Sequence, residues 1–166
     1  MEIIYKNIYI DEQFLTPQQT QNKPVVSLTG LNTEKKYTLI MYDPNAVNGN
    51  FIHWIVTDIF NNDFNSGKEL LKYKGPAPPK GTNVHNYIFS LYENKRPDMF
   101  TTLQSQFNEN HRIIELNKLL NMLFVKGKPI YEKRFTSEYI GGYRRNRRLT
   151  KRRKNKKNKK TKRTRY

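Results

Sequence analysis

The chain has 166 residues with 31 basic and 14 acidic side chains, a formal charge of +17. Residues 143–166 hold seven Lys, eight Arg and no acid, so 24 residues carry +15 and the first 142 carry only +2. That near-neutral part is one domain's length of chain and can bury a core of its own, which excludes both a uniformly basic nucleic-acid-coating fold and a charge-repelled disordered chain.

The absence of cysteine excludes disulfides and zinc–thiolate sites and fits a reducing compartment. Met1 to Lys6 has no basic region leading into a long apolar one, and no apolar run approaches the roughly 20 residues of a spanning helix. The expectation is a soluble, intracellular, cytoplasmic protein with no transmembrane segment; the basic end offers a nuclear address as the alternative.

In chain order, Ile3 to Ile10 predicts a strand or hairpin and Val25 to Leu28 a short strand, with a turn at Thr29 to Asn32. Tyr37 to Tyr42 reads as a strand stopped by Asp43-Pro44-Asn45. Phe51 to Ile59 follows as a strand rich in aromatic and β-branched residues, then a loop over Asn61 to Gly67. Gly75-Pro76-Ala77-Pro78-Pro79-Lys80-Gly81 cannot be a helix or a central strand, because its prolines remove backbone donors. His85 to Glu93 is the next strand. Ile113, Leu116, Leu120 and Phe124 recur at helical spacing, predicting one helix over Arg112 to Phe124, ended by Gly127 and Pro129. Ile130 to Tyr139 supplies a last strand, and Gly141-Gly142 leads into the basic segment. Six or seven strands and one late helix favour an antiparallel β-sandwich over residues 1–142, with the helix on its edge. Residues 143–166 read as a disordered Lys/Arg-rich tail.

His53 and His85 lie in two of the strongest strands, and Asp43 ends a third. Alternation puts His85, Tyr87, Phe89 and Leu91 on one face, and His53 on a face with Phe51 and Ile55. Trp54 then falls on the face opposite His53 and reads as core. Three polar groups near strand ends can meet at one rim of a sandwich. Singly, each is more often a structural histidine or a turn-forming Asp. His111, before the helix, has no partner motif and is left outside the site.

Thr38-Leu39-Ile40-Met41-Tyr42-Asp43-Pro44-Asn45-Ala46 resembles the Asp-Pro-Asp-Ala-Pro motif of the phosphatidylethanolamine-binding protein family. Phe51-Ile52-His53-Trp54-Ile55-Val56 is similar to its His-Trp strand. Gly75 to Thr82, followed by His85-Asn86-Tyr87, resembles its Gly-Pro-Pro-x-Gly and His-Arg-Tyr block. The motifs run in order from Tyr37 to about Glu93. The resemblance implies a β-sandwich and a small cavity for phosphate or phospholipid headgroups, lined by Asp43, His53, His85 and Tyr87. Its wall would be the loop containing Gly75, Pro76 and Gly81. It also implies no enzymatic activity, no cofactor, and regulation of signalling by docking to proteins such as a kinase.

Three positions depart from the family pattern: Asn45 replaces its second Asp, Val47 its Pro, and Asn86 its Arg. An acid and a base have both become Asn, so we expect the two positions to touch across the cavity rim. The link from Asp43 to His53 is also short.

Two other classes stay open at this stage. Asp43, His53 and His85 spell a two-histidine, one-carboxylate metal site with room for chemistry. The basic segment could bind polyanions, nucleic acid or an anionic membrane surface, by counterion release. It lacks interleaved aromatics apart from Tyr143 and Tyr166, so base stacking has little support.

Overall fold

A computed structural model describes residues 1–141. Strand β1 (Glu2–Tyr5) turns through Lys6 and Asn7 into β2 (Ile8–Tyr9). Both turn residues have positive φ, 45° and 70°, the mirror-image turn whose twist suits a two-residue hairpin. Strand β3 (Val25–Ser27) pairs with the other side of β1, completing a three-stranded sheet.

The larger sheet is built from β4 (Tyr37–Asp43), β5 (Asn50–Ile59), β6 (Lys68–Leu71), β7 (His85–Glu93), the two-residue β8 (Ile113–Ile114) and β9 (Tyr131–Ser137). Its order is β6-β5-β4-β7-β9, all antiparallel, with β8 paired to the start of β5. Two short helices, α1 (Phe100–Gln104) and α2 (Leu116–Met122), complete the described elements together with a 3₁₀ turn at Phe64–Ser66.

Central β4 is buried along its whole length because both of its faces are covered. Leu39 and Met41 join Ile3, Tyr5, Val26, Trp54, Phe89 and Phe135 in the core between the two sheets. Ile40 and Tyr42 point the other way, into a second core with Ile55, Leu103, Leu119 and Leu123. A half-buried strand alternates apolar and polar residues; here both periods are apolar, which is the pattern of a strand covered on two sides.

The sandwich is therefore present, mainly β and antiparallel, with three corrections. First, the helix covers the outer face of the large sheet and not its edge. Second, it is shorter than its apolar spacing predicts: Ile113 and Ile114 pair with Phe51 and Asn50 as a strand. Glu115 then caps the helix by accepting from the N–H groups of Asn117 (3.0 Å) and Lys118 (2.8 Å). Third, the structure adds β6, β8 and α1; each is two to five residues long, too short to show a period in the sequence. No helix among the described residues is long and apolar enough to cross a membrane.

Candidate functional site

Asp43 ends β4, β5 begins beside it, and β7 begins on its other flank with His85. Antiparallel order thus gathers three strand ends at one rim, as the positions of the polar residues suggested. The register contains a further device. Met41 is opposite Trp54 while Tyr42 is opposite Ile52, so His53 is an extra residue bulged out of β5. Phe51 and His53 both face the rim, as alternation has it, but beyond the bulge the period is reset. Trp54 enters the inter-sheet core and Ile55 the helix-side core. The expected grouping of Ile55 with His53, and of Trp54 on the far face, is corrected by this one residue.

The rim opens into a cavity of about 350 Å³ lined by Asp43, His53, His85, Tyr87, Phe51 and Gly75, among others. Of the expected wall residues, Gly75 lines it, together with Ala77, Pro78, Pro79 and Thr82. Pro76 faces an adjoining cleft beside Pro17 and Gln21, and exposed Gly81 lies outside both. Gly81 has φ +87°, a conformation that favours glycine, and so shapes the loop without touching the cavity.

Each imidazole is held by its Nδ1. His85 Nδ1 is 2.6 Å from Asp43 Oδ2, and Asp43 Oδ1 accepts the Asn45 N–H at 2.7 Å. Asp43 therefore orients the ring and anchors the following turn. His53 Nδ1 lies 2.6 Å from the Lys74 carbonyl oxygen, while the Lys74 N–H donates back to the His53 carbonyl at 2.8 Å. Tyr87 sets its ring edge-on to His53, with centroids 5.2 Å apart, and stacks on Phe135. Its hydroxyl has no hydrogen-bond partner among the described residues, and burial followed by the Asp43 charge pushes its pKa up, so it remains a donor.

Burial holds His53 down at about pKa 4; the Lys74 hydrogen bond and Asp43 oppose the shift, while Arg112 and Lys74 add to it. Arg112 is the residue that sequence reasoning missed, having placed it at the start of a helix. Its buried guanidinium donates to the carbonyls of Ile52 (3.0 Å), His53 (3.1 Å) and Lys72 (2.9 Å), and also pairs with Glu109. It clamps β5 to the strand leading into the wall. Farther back, the Tyr73 hydroxyl donates to the Thr20 carbonyl (2.6 Å) and lies 2.8 Å from the Tyr5 hydroxyl, fixing the root of the wall.

Asn45 and Asn86 do touch: Asn45 Oδ1 accepts from the Asn86 backbone N–H (2.8 Å) and side-chain amide (3.0 Å). Val47 stands 71% exposed and, like Ile113, lines the cavity. His111 is exposed and away from the cavity lining. Among the described residues no group of three or more His, Cys, Asp or Glu is arranged to hold a metal. The tail reading falls on 143–166, outside the described residues.

A family model described as phosphatidylethanolamine-binding protein matches residues 7–124. Two curated proteins of Arabidopsis thaliana are similar: Protein BROTHER of FT and TFL 1, 34% identical over 88 residues (49% of each chain), and Protein TWIN SISTER of FT, 36% identical over 85 residues (47% of each). The chain thus spans about half the length of these relatives in the match. Among solved structures, the phosphatidylethanolamine-binding protein from Plasmodium vivax superposes with a TM-score of 0.67 at 19% identity, covering 84% of this chain and 85% of that one. The carboxypeptidase Y inhibitor, solved with its cognate proteinase, gives 0.67 at 18% identity, covering 84% and 82%. The CG7054 solution structure gives 0.60 at 27% identity, covering 83% of each. With most of the described residues inside the family match, and the same sandwich in the solved structures, the chain belongs to the phosphatidylethanolamine-binding protein family.

Proposed function

We propose that this protein is a non-enzymatic binder of phosphate-bearing groups, phosphate itself or a phospholipid headgroup, in the cavity formed by Asp43, His53, His85 and Tyr87. The carrying observation is that two buried imidazoles, each tied by Nδ1, border one cavity and have only Nε2 left to meet a ligand. The Tyr87 hydroxyl adds a donor, and the Lys74 ammonium, 5.4 Å from the Phe51 ring centre, adds positive charge at the lining. The prolines of the wall limit the entropy lost when a ligand settles. Occupancy of the cavity would bias docking to a protein partner such as a kinase, and so regulate signalling.

Equilibrium binding of phosphorylethanolamine to substituted proteins tests the pocket. His85→Ala is expected to weaken binding more than tenfold, the loss of a hydrogen bond to a charged group. His111→Ala should leave it unchanged. Equal affinity for wild type and His85→Ala would refute the assignment.

A second reading concerns residues 143–166, whose +15 charge favours polyanions. Nucleic acid or an anionic membrane would be bound there with affinity falling steeply in salt.

A further inference from the structure

His53 contacts a carbonyl oxygen, and a carbonyl can only accept. The 2.6 Å contact with Lys74 O therefore fixes the proton of the neutral ring on Nδ1 and leaves a lone pair on Nε2. The groups around the ring favour this neutral form. From the segment leading into β8 comes the Arg112 guanidinium, paired with Glu109 and bound to the carbonyl of His53 itself. From the wall comes Lys74. From β4 comes the one opposing charge, Asp43, already engaged by His85 of β7 and by the Asn45 N–H. Tyr87, the other β7 group, meets the ring edge-on and stays protonated. His53 is 4% exposed, so water does little to support a charge on its ring. The depressed pKa agrees with this geometry.

The cavity thus contains an acceptor as well as donors, and a phosphate oxygen facing that acceptor needs a hydrogen between them. We propose that His53 is a specificity-determining residue whose Nε2 accepts a hydrogen from the ligand. The pocket then takes a phosphate that brings its own donor, the P–OH of a monoester or the ammonium of an ethanolamine headgroup, in preference to a bare diester. A bare diester offers only acceptors: its oxygen would confront the Nε2 lone pair, or the ring would have to take up a proton against burial and two cations. This proposal rests on the anion-pocket reading above and names the ligand chemistry that reading leaves open.

The test follows the His53 and His85 ring resonances of the full chain by NMR at pH 5, which reads the cavity separately from anion binding elsewhere. At that pH methyl phosphate and dimethyl phosphate are both mainly singly charged, since a phosphomonoester's second pKa is about 6. They differ chiefly in the P–OH. Methyl phosphate is expected to bind about tenfold more tightly than dimethyl phosphate, the worth of one hydrogen bond to a charged ligand. The His53 ring should remain neutral when it binds. Glycerophosphoethanolamine identifies the source: affinity like methyl phosphate makes the headgroup ammonium a sufficient donor, and affinity like dimethyl phosphate makes P–OH necessary.

Equal affinity for the two methyl esters, or conversion of His53 to imidazolium on binding, overturns the proposal. Should no ligand move either ring, the anion-pocket reading fails and this one falls with it. His53→Gln, whose amide supplies N–H donors, should reduce the preference to within about threefold. The ring-protonation measurement on wild type stands even if that variant does not fold.

Discussion

At the scale of residues, a base and a carboxylate do different work here from what their types suggest. Asp43 is bound up in orienting His85, so Asp43→Asn should cost about 2 kcal/mol in urea unfolding, as expected for weakening a charge-assisted buried hydrogen bond. His53 links stability to pH. Its folded pKa of about 4 lies below the ordinary 6.5, so the folded protein binds fewer protons than the unfolded one between these values. Its contribution is complete above about pH 6.5 and is lost as pH falls toward 4, amounting to about 3 kcal/mol. Urea midpoints should fall across that window, and His53→Gln should flatten the fall; a slope unchanged in the variant would assign the linkage elsewhere. Asp43, His53 and His85 were legible because polar groups near strand ends in apolar strands are conspicuous, and Tyr87 was legible through the family resemblance. Arg112 was not. Its partners Ile52 and His53 lie 60 and 59 residues away, and a single arginine before a run of Ile and Leu carries no local sign of burial.

At the scale of elements, the site depends on one bulge and one wall. Alternation correctly put Phe51 and His53 on one face, because neither lies beyond the bulge. It failed at Trp54 and Ile55, just beyond it, because an extra residue inverts the faces that follow until the next register shift and leaves no mark in composition. The helix is shorter than its apolar spacing predicts for a related reason. Ile113 matches the helical period, yet pairing with β5 and the Glu115 cap give that segment a better set of backbone partners. In the wall, Gly75 is set by space: a Cβ there would stand 2.9 Å from the Thr20 carbonyl oxygen. Gly75→Ala should therefore destabilise the fold by about 1–3 kcal/mol and shift the wall. Gly127→Ala, where a Cβ meets nothing within 4 Å, is the control and should be tolerated. A Gly75→Ala protein as stable as the control would show that the wall yields without cost.

At the scale of the molecule, the total charge joins two separate questions. Nearly all of the +17 lies in residues 143–166, outside the family match at 7–124 and outside the described residues. Removing 143–166 should abolish steeply salt-dependent DNA or anionic-liposome binding while leaving the cavity's phosphate affinity unchanged. Loss of cavity binding on truncation would tie the two together. On the proposed reading the domain needs no large field to attract an anion, because its hydrogen-bonding groups are already oriented by Asp43 and the Lys74 carbonyl. The most direct measurement is an NMR titration of the His53 and His85 side chains with inorganic phosphate and phosphorylethanolamine. Both rings should shift together, with one shared dissociation constant, at or below millimolar ligand. If both imidazoles remain unmoved at that concentration while the protein is folded, the cavity is not an anion site.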